Sequence, residues 1–290
     1  MSHIKETNMI INGKEISLDI IEKLKTKLID KEQGVPCLAV ILVGNDPASE
    51  VYVRNKTLAC NKIGIESREI KLNDSTSEAE LISIIKELNL DTTVHGVLVQ
   101  LPLPCHIDDK AIIEAIDPSK DVDGFHPLNV GSLMLGSSSS FTSCTPKGIF
   151  TLLDGLKQDL TGKHCVIVGR SNIVGKPCSM LALERDMTVT VVHSKTVDIE
   201  YHTKSADVLI VAVGKPELVK TSWVKSGAIV IDVGINRIER DGEYILVGDV
   251  DKEVFSVASH MTPVPAGVGP MTIASLMQNT IQSFTENKNV

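Results

Sequence analysis

The chain has 290 residues, enough for two domains and a sizeable core, and its 42% apolar and 23% charged content is that of a soluble globular protein. A formal charge of −8 with no block of Lys and Arg disfavours a nucleic-acid or anionic-membrane surface, so an anionic ligand must be held by local groups. The six cysteines (Cys37, Cys60, Cys105, Cys144, Cys165, Cys178) lack the paired close spacing of a zinc or redox motif and read as reduced structural thiols, with no metal expected. The N-terminus lacks the apolar core of a signal peptide and no apolar run approaches a membrane span, so a cytoplasmic protein is expected.

In chain order, residues 16–31 repeat apolar positions at three and four, as an amphipathic helix does. CLAVILVG reads as a buried strand, PASEVYVRNKTLACNKIG as a helix ending at Gly64, and ESREIKL as a second strand. SEAELISIIKELNL, HGVLVQLPL and DDKAIIEAI continue as helix, strand and short helix. This alternation implies parallel crossover units and an α/β fold. From Asp121, DVDGFHPLNVGSLMLGSSSSFTSCTPKG shows neither period and reads as a crossing between domains, with 137–140 as a flexible surface loop.

A second series follows: GIFTLLDGL as helix, KHCVIVG as strand, GKPCSMLALERD as helix, and TVTVVH, ADVLIVAVG and GAIVIDVG as strands, a dinucleotide-binding pattern. INRIERDGEYILVGDV carries an Asp-Gly hairpin signal at Asp241 and Gly242. MTIASLMQNTIQSFTEN is an amphipathic helix expected to pack back on the first domain. The domains are expected at 1–144 plus 268–290 and at 145–267.

KHCVIVG runs into GRSNIVGKP, where Gly169 and Gly175 allow a tight turn before a helix N-terminus that attracts phosphate. The next strand ends in His193, Ser194 and Lys195, where an NAD site usually carries an acidic residue. With Arg170 in the loop, NADP is favoured over NAD. Val213 and Gly214 end the following strand and Ile235 follows a later one, at positions where such sheets meet ligand. In the first half, Ser49, Tyr52 and Lys56 share one helix face; in a cleft, desolvation would make Lys56 a general base near neutral pH. Gln100 ends its strand and can orient an amine. Asp123 competes with Asp117 and Asp121 as the carboxylate of a closed pocket, able to pair with the amidine-like edge of a heterocycle.

SEVYVRNK, GVLVQLPLP, KDVDGFHPLNVG, CTPKG, GRSNIVGKP, HSKT, VIDVGINR, GDVD and TPVPAGVGPMT occur together and in order. Over residues 8–285 the chain resembles the bifunctional methylenetetrahydrofolate dehydrogenase/cyclohydrolase family. The resemblance implies a homodimer of two-domain subunits that oxidise 5,10-methylenetetrahydrofolate with NADP and hydrolyse the methenyl product to 10-formyltetrahydrofolate. It gives Lys56 as the catalytic lysine, Tyr52 as the residue stacking near the folate, Gln100 as the partner that tunes Lys56 and Asp123 as the pterin anchor. The matched motifs place Ser49, Val53, Val99 and Leu101 with the folate, together with Pro265, Ala266, Gly267, Val268 and Gly269. They place Thr145, Gly148, Gly169, Arg170, Ser171, Ile173, Gly175, Ser194, Val213, Gly214 and Ile235 with the cofactor. Two departures stand out: Ala266 replaces the first of two adjacent glycines in the folate loop, and SSSSF is unusually polar. A rival two-domain NADP oxidoreductase acting on shikimate-like hydroxy acids fits the nucleotide half alone, and a non-catalytic nucleotide-binding protein does not call for Lys56, Gln100 and Asp123.

Overall fold

A computed structural model of the chain describes residues 9–28, 34–137 and 141–286. The first elements are β1 (Met9–Ile10), α1 (Gly13–Lys27), β2 (Cys37–Val43), α2 (Pro47–Ile63), β3 (Glu66–Leu72), α3 (Glu78–Leu90), β4 (Gly96–Val99), α4 (Asp109–Ala115) and α5 (Pro127–Met134). Next come α6 (Cys144–Gly155), β5 (His164–Val168), α7 (Gly175–Leu183), β6 (Thr188–Val192), α8 (Ile199–Thr203) and β7 (Val208–Val211). The chain closes with β8 (Ile229–Asp232), β9 (Asn236–Arg240), β10 (Glu243–Val247), β11 (His260–Met261) and α9 (Val268–Glu286).

Two compact units result: Ser17–Cys144 with Ile273–Val290, here the first unit, and Met1–Ile16 with Thr145–Thr272, the second. The N-terminal residues therefore group with the second unit and not with the first half of the chain as expected. The cause is backbone pairing: β1 adds to the second unit's sheet in parallel with β11, Met9 opposite His260.

In the first unit, three parallel strands run in the order β3-β2-β4. Every residue of β2 is buried, as a central parallel strand covered on both faces requires. Its alternate side chains feed two different cores. Leu38, Val40 and Leu42 pack with Val53, Ile63, Leu276 and Met277, whereas Cys37, Ala39, Ile41 and Val43 pack with Leu81, Ile85 and Ile112. The second unit carries the parallel order β1-β11-β8-β7-β5-β6 and a separate β9-β10 hairpin, with Asp241 and Gly242 at its tip in the positive-φ conformation that the sequence signal implies.

Some elements were not legible from periodicity. α5 lies inside the segment read as irregular, and α6 begins at Cys144, so CTPKG is helical. His126 Nδ1 accepts from Leu128 N at 3.1 Å and Pro127 stands at the first position of α5, so capping starts a helix too short to show a period. The loop expected at 137–140 lies outside the described residues beyond Ser137.

Helix α9 is tied into the first unit by polar contacts from buried side chains. Asn279, fully buried, donates from Nδ2 to Val122 O at 2.8 Å and to Thr142 O at 3.1 Å, and Ser283 Oγ donates to Ser119 O at 2.8 Å. Replacing Asn279 by Leu leaves those carbonyls without that donor. Urea unfolding of Asn279→Leu is expected to show a loss of about 2–4 kcal/mol, with no change in the dinucleotide affinity of the folded fraction.

Candidate active site

Helix α2 is fixed at both ends. Asp46 Oδ2 accepts from Ser49 N at 2.8 Å, Pro47 opens the first turn, and Gly64 at φ 98° returns its N–H to Cys60 O. This register buries Ser49, Val53 and Lys56, while Tyr52 remains 42% exposed at the edge of the same stripe. Lys56 Nζ donates to Gln100 Oε1 at 2.9 Å. Gln100 follows β4, where its backbone N–H bonds Ile41 O at 2.8 Å and its Nε2 donates to Leu101 O at 2.7 Å. With the amide nitrogen committed to a carbonyl, only the amide oxygen is left to face Lys56. Burial pulls Lys56 below its ordinary value of 10.5, opposed chiefly by the charge of Asp123. A neutral amide partner does nothing to restore the proton, as a carboxylate at that place would.

The three candidate aspartates separate by their partners. Asp117 Oδ1 accepts from Ser119 N at 2.8 Å and so caps a turn. Asp121 accepts from His126 N at 2.8 Å and Asn129 Nδ2 at 2.9 Å, holding the start of α5. Asp123 lines a pocket with Val99, Leu101, Ile112 and Phe125, which Asp121 also borders, and what sets it apart is its place beside Lys56 and Cys144. Burial raises its carboxyl, while the Lys56 charge and a hydrogen bond with Cys144 oppose the rise. Lysine and carboxylate each press the other toward the charged form, while desolvation presses both toward neutrality.

In the second unit the loops that follow β5, β6, β7 and β8 all emerge from the carboxyl edge of a parallel sheet, where open α/β sheets bind ligands. Gly169, at φ 123°, leads out of β5; a Cβ there would lie 2.3 Å from Ala212 O, and one at Gly175 would lie 2.3 Å from Gly169 O. The backbone thus folds back on itself with no room for a side chain at either glycine. Ser171 Oγ accepts from Val174 N at 3.1 Å, and Arg170, Ser171 and Ile173 are exposed around that turn. Ser194 is exposed after β6, Val213 and Gly214 follow β7, and Ile235 is 43% exposed after β8.

Thr145 and Gly148 stand on the first turns of α6, Thr145 Oγ1 lying 3.0 Å from Thr272 Oγ1. The segment 265–269 also belongs to the second unit, with Gly267 and Val268 buried and Pro265 exposed. Ala266 sits at φ 80°, so the alanine departure does not reshape this loop toward negative φ; the residue adopts a conformation that glycine enters without strain. Its carbonyl accepts from Lys14 N at 2.9 Å.

Other residues carry weight that the sequence reading did not assign. Cys144, 1% exposed, hydrogen-bonds Asp123 and donates to Val122 O at 3.3 Å. Asp232 and Asp249 are buried carboxylates at the roots of the β8 and β7 loops. Their motifs, VIDVG and GDVD, were visible without a role. Among the described residues no cluster of His, Cys, Asp or Glu could hold a metal ion.

Residues 11–123 match the catalytic domain of tetrahydrofolate dehydrogenase/cyclohydrolase, and residues 143–288 match its NAD(P)-binding domain. The bifunctional protein FolD of Acetivibrio thermocellus is 57% identical over 277 residues, covering 94% of this chain and 96% of that protein. The crystal structure of bifunctional FolD from Campylobacter jejuni superposes with a TM-score of 0.93 at 50% identity, covering 96% of this chain and 99% of the other. The Trypanosoma brucei enzyme, solved with NADP and an inhibitor, gives a TM-score of 0.93 at 35% identity, covering 97% and 99%. The chain belongs to the tetrahydrofolate dehydrogenase/cyclohydrolase family.

Proposed function

We propose that Lys56, held by Gln100 and flanked by Asp123, is the proton-handling group of the hydrolytic half-reaction. The protein is an NADP-dependent methylenetetrahydrofolate dehydrogenase and methenyltetrahydrofolate cyclohydrolase. It oxidises 5,10-methylenetetrahydrofolate to the 5,10-methenyl form and hydrolyses that to 10-formyltetrahydrofolate. Bound at the second unit, NADP would supply the hydride acceptor for the oxidation. The observation that carries the role of Lys56 is its 2.9 Å hydrogen bond to a neutral amide, at a buried site that lowers its proton affinity.

In the hydrolysis, water adds to the methenyl carbon and neutral Lys56 accepts a proton from it. The bond from that carbon to N5 breaks as a proton reaches N5, and one proton is released overall. Gln100 fixes the amine while leaving its lone pair for this work, and Tyr52 and Ser49 border the reacting face. Asp123 pairs with the amidine edge of the pterin, and Val53, Val99 and Leu101 supply apolar walls.

On the second unit, the loop from Gly169 through Arg170, Ser171 and Ile173 to Gly175 holds the pyrophosphate at the start of α7, a fit supported by the close backbone approach there. Ser194 and Arg170 receive the additional phosphate of NADP. Val213, Gly214, Ile235, Thr145 and Gly148 border the remainder. The resemblance to the family supports a homodimer in the cytoplasm; no described helix is long and apolar enough to cross a membrane.

Lys56→Met is expected to lower cyclohydrolase kcat/KM by about 100-fold or more, with the dehydrogenase rate largely kept. Spectrophotometric assays of the separate steps distinguish this from a general loss of fold. The pH profile follows from the same group. Because its folded pKa lies below 10.5, the rising limb of cyclohydrolase activity lies below that pH, and Gln100→Glu moves the limb to higher pH. Stability contributed by Lys56 carries the matching sign, rising with pH between the folded value and 10.5, where only the unfolded chain holds the proton.

Arg170→Ala is expected to raise the KM for NADP by about tenfold while changing that for NAD little, as measured in parallel dehydrogenase assays. Ala266→Gly releases a strained φ and is expected to stabilise the protein by about 0.5–1 kcal/mol in urea titrations, once the greater unfolded-chain freedom of glycine is subtracted.

A further inference from the structure

The chemistry above leaves one pair of buried carboxylates unused. Asp249, in the segment after β10, is 0% exposed. Its Oδ2 accepts from Val213 N at 2.7 Å and Gly214 N at 2.9 Å, and its Oδ1 accepts from Lys215 N at 2.8 Å and Asn236 Nδ2 at 2.9 Å. Consecutive amides of the loop after β7 are therefore wrapped around an anion that belongs to the protein itself. Asp232, the last residue of β8, holds Asp249 in turn. Its Oδ1 accepts from Asp249 N at 2.9 Å and Gly234 N at 3.1 Å, and its Oδ2 accepts from Val250 N at 3.0 Å. Thr262 Oγ1 accepts from the Asp232 backbone N–H at 2.8 Å, joining this relay to the strand edge.

The surrounding sequence is cut to fit the carboxylates. A Cβ at Gly248 would lie 1.7 Å from Asp232 Oδ2, and one at Gly234 would lie 2.3 Å from Asp249 Oδ1. No hydrogen bond of this relay involves a charged side chain other than the two aspartates, so the anions are satisfied by dipoles of backbone that must stay in place. The arrangement has a directional consequence for the loop. With the N–H groups of 213–215 turned inward, the loop has no backbone donor left for phosphate. What it can offer outward is carbonyl oxygen and the open face of Gly214, where no heavy atom lies within 4 Å of an added Cβ. It is built to meet hydrogen-bond donors and flat surfaces of a ligand, while anionic groups are left to the 169–175 loop.

We propose that Asp249 is a positioning residue of the dinucleotide site, its carboxylate fixing the 213–215 backbone in the shape that receives the nucleoside part of NADP, with Asp232 setting the place of Asp249. The proposal rests on the reading that Val213 and Gly214 border the cofactor. Asparagine at 249 would keep the size of the side chain but turn an NH2 group against amides that now donate, so the loop must shift.

The test uses the full-length protein with three variants: Asp249→Asn, Asn236→Ala and Gly214→Asn. KM for NADP and kcat are measured in the dehydrogenase assay, cyclohydrolase kcat/KM is measured without dinucleotide, and urea midpoints report folding. Asp249→Asn is expected to raise the KM for NADP by about tenfold or more with cyclohydrolase kcat/KM within about twofold, a split that a loss of stability alone does not produce. Asn236→Ala removes a single donor to Asp249 and is expected to raise the KM by about two- to threefold; it carries the test if Asp249→Asn does not fold. Gly214→Asn keeps a residue that tolerates positive φ and places a side chain in the open space, so it reports on the loop directly. An unchanged KM in Gly214→Asn overturns the underlying reading of the loop. A raised KM in Gly214→Asn with an unchanged KM in folded Asp249→Asn, or in Asn236→Ala where that variant carries the test, overturns the positioning role alone.

Discussion

A lysine without a full charge partner is the constraint around which the first unit is arranged. Lys56 is 9% exposed, and its hydrogen-bond acceptor is an amide oxygen whose orientation is set by a second bond to Leu101 O. Such a site is costly to build, because burial disfavours the ammonium form and a neutral amide offsets little of that. The helix carrying it is correspondingly pinned at both ends, by Asp46 and by Gly64, and the strand carrying Gln100 is braced by β2. The doubly covered β2 supplies the rigid platform: its two faces lie in two cores, so neither helix layer can shift without disturbing the other.

The second unit solves a different problem with the same economy of charge. In its glycine-bearing turn Ser171 takes up the N–H groups of Val174, Gly175 and Lys176 at the start of α7, while the neighbouring loop has its amides taken up by Asp249. Burial raises Asp232 to about 7 even though three backbone amides donate to it, which shows how far desolvation dominates at that depth. Adjacent loops of one sheet edge thus differ in build: at 169–175 glycines let backbone approach backbone, and at 213–215 a buried carboxylate takes up the amides.

Much of this was legible in the sequence, and the limits have physical causes. Alternating strands and helices gave the α/β class, because a short continuous apolar run in CLAVILV and a period of 3.6 in EAELISIIKELNL are both readable. The helix spacing of Ser49, Tyr52 and Lys56 placed them on one stripe, yet spacing cannot tell the buried Lys56 from the exposed Tyr52, since that depends on what covers the stripe. The choice among Asp117, Asp121 and Asp123 was equally open until backbone donors could be assigned to the first two. α5 escaped notice because eight residues give barely two turns, with Gly131 interrupting them. β1 escaped because two residues carry no pattern at all, and only its pairing with β11 assigns it to the second unit. Asp232 and Asp249 were hidden because an aspartate in a loop reads as solvated unless its amide donors are known.

That pairing of β1 with β11 also bears on how the chain comes to be folded. Met9 and His260 are about 250 positions apart, and the first unit is completed only by residues from Ile273 onward. Neither unit is a contiguous stretch, so a chain emerging from the ribosome can finish neither before nearly its whole length has been made. The central strand β2, apolar on both faces, must wait through most of synthesis for the Leu276 and Met277 side chains that cover one of them. The nascent chain therefore leaves one face of this sheet uncovered for longer than a tandem arrangement of the same two units would.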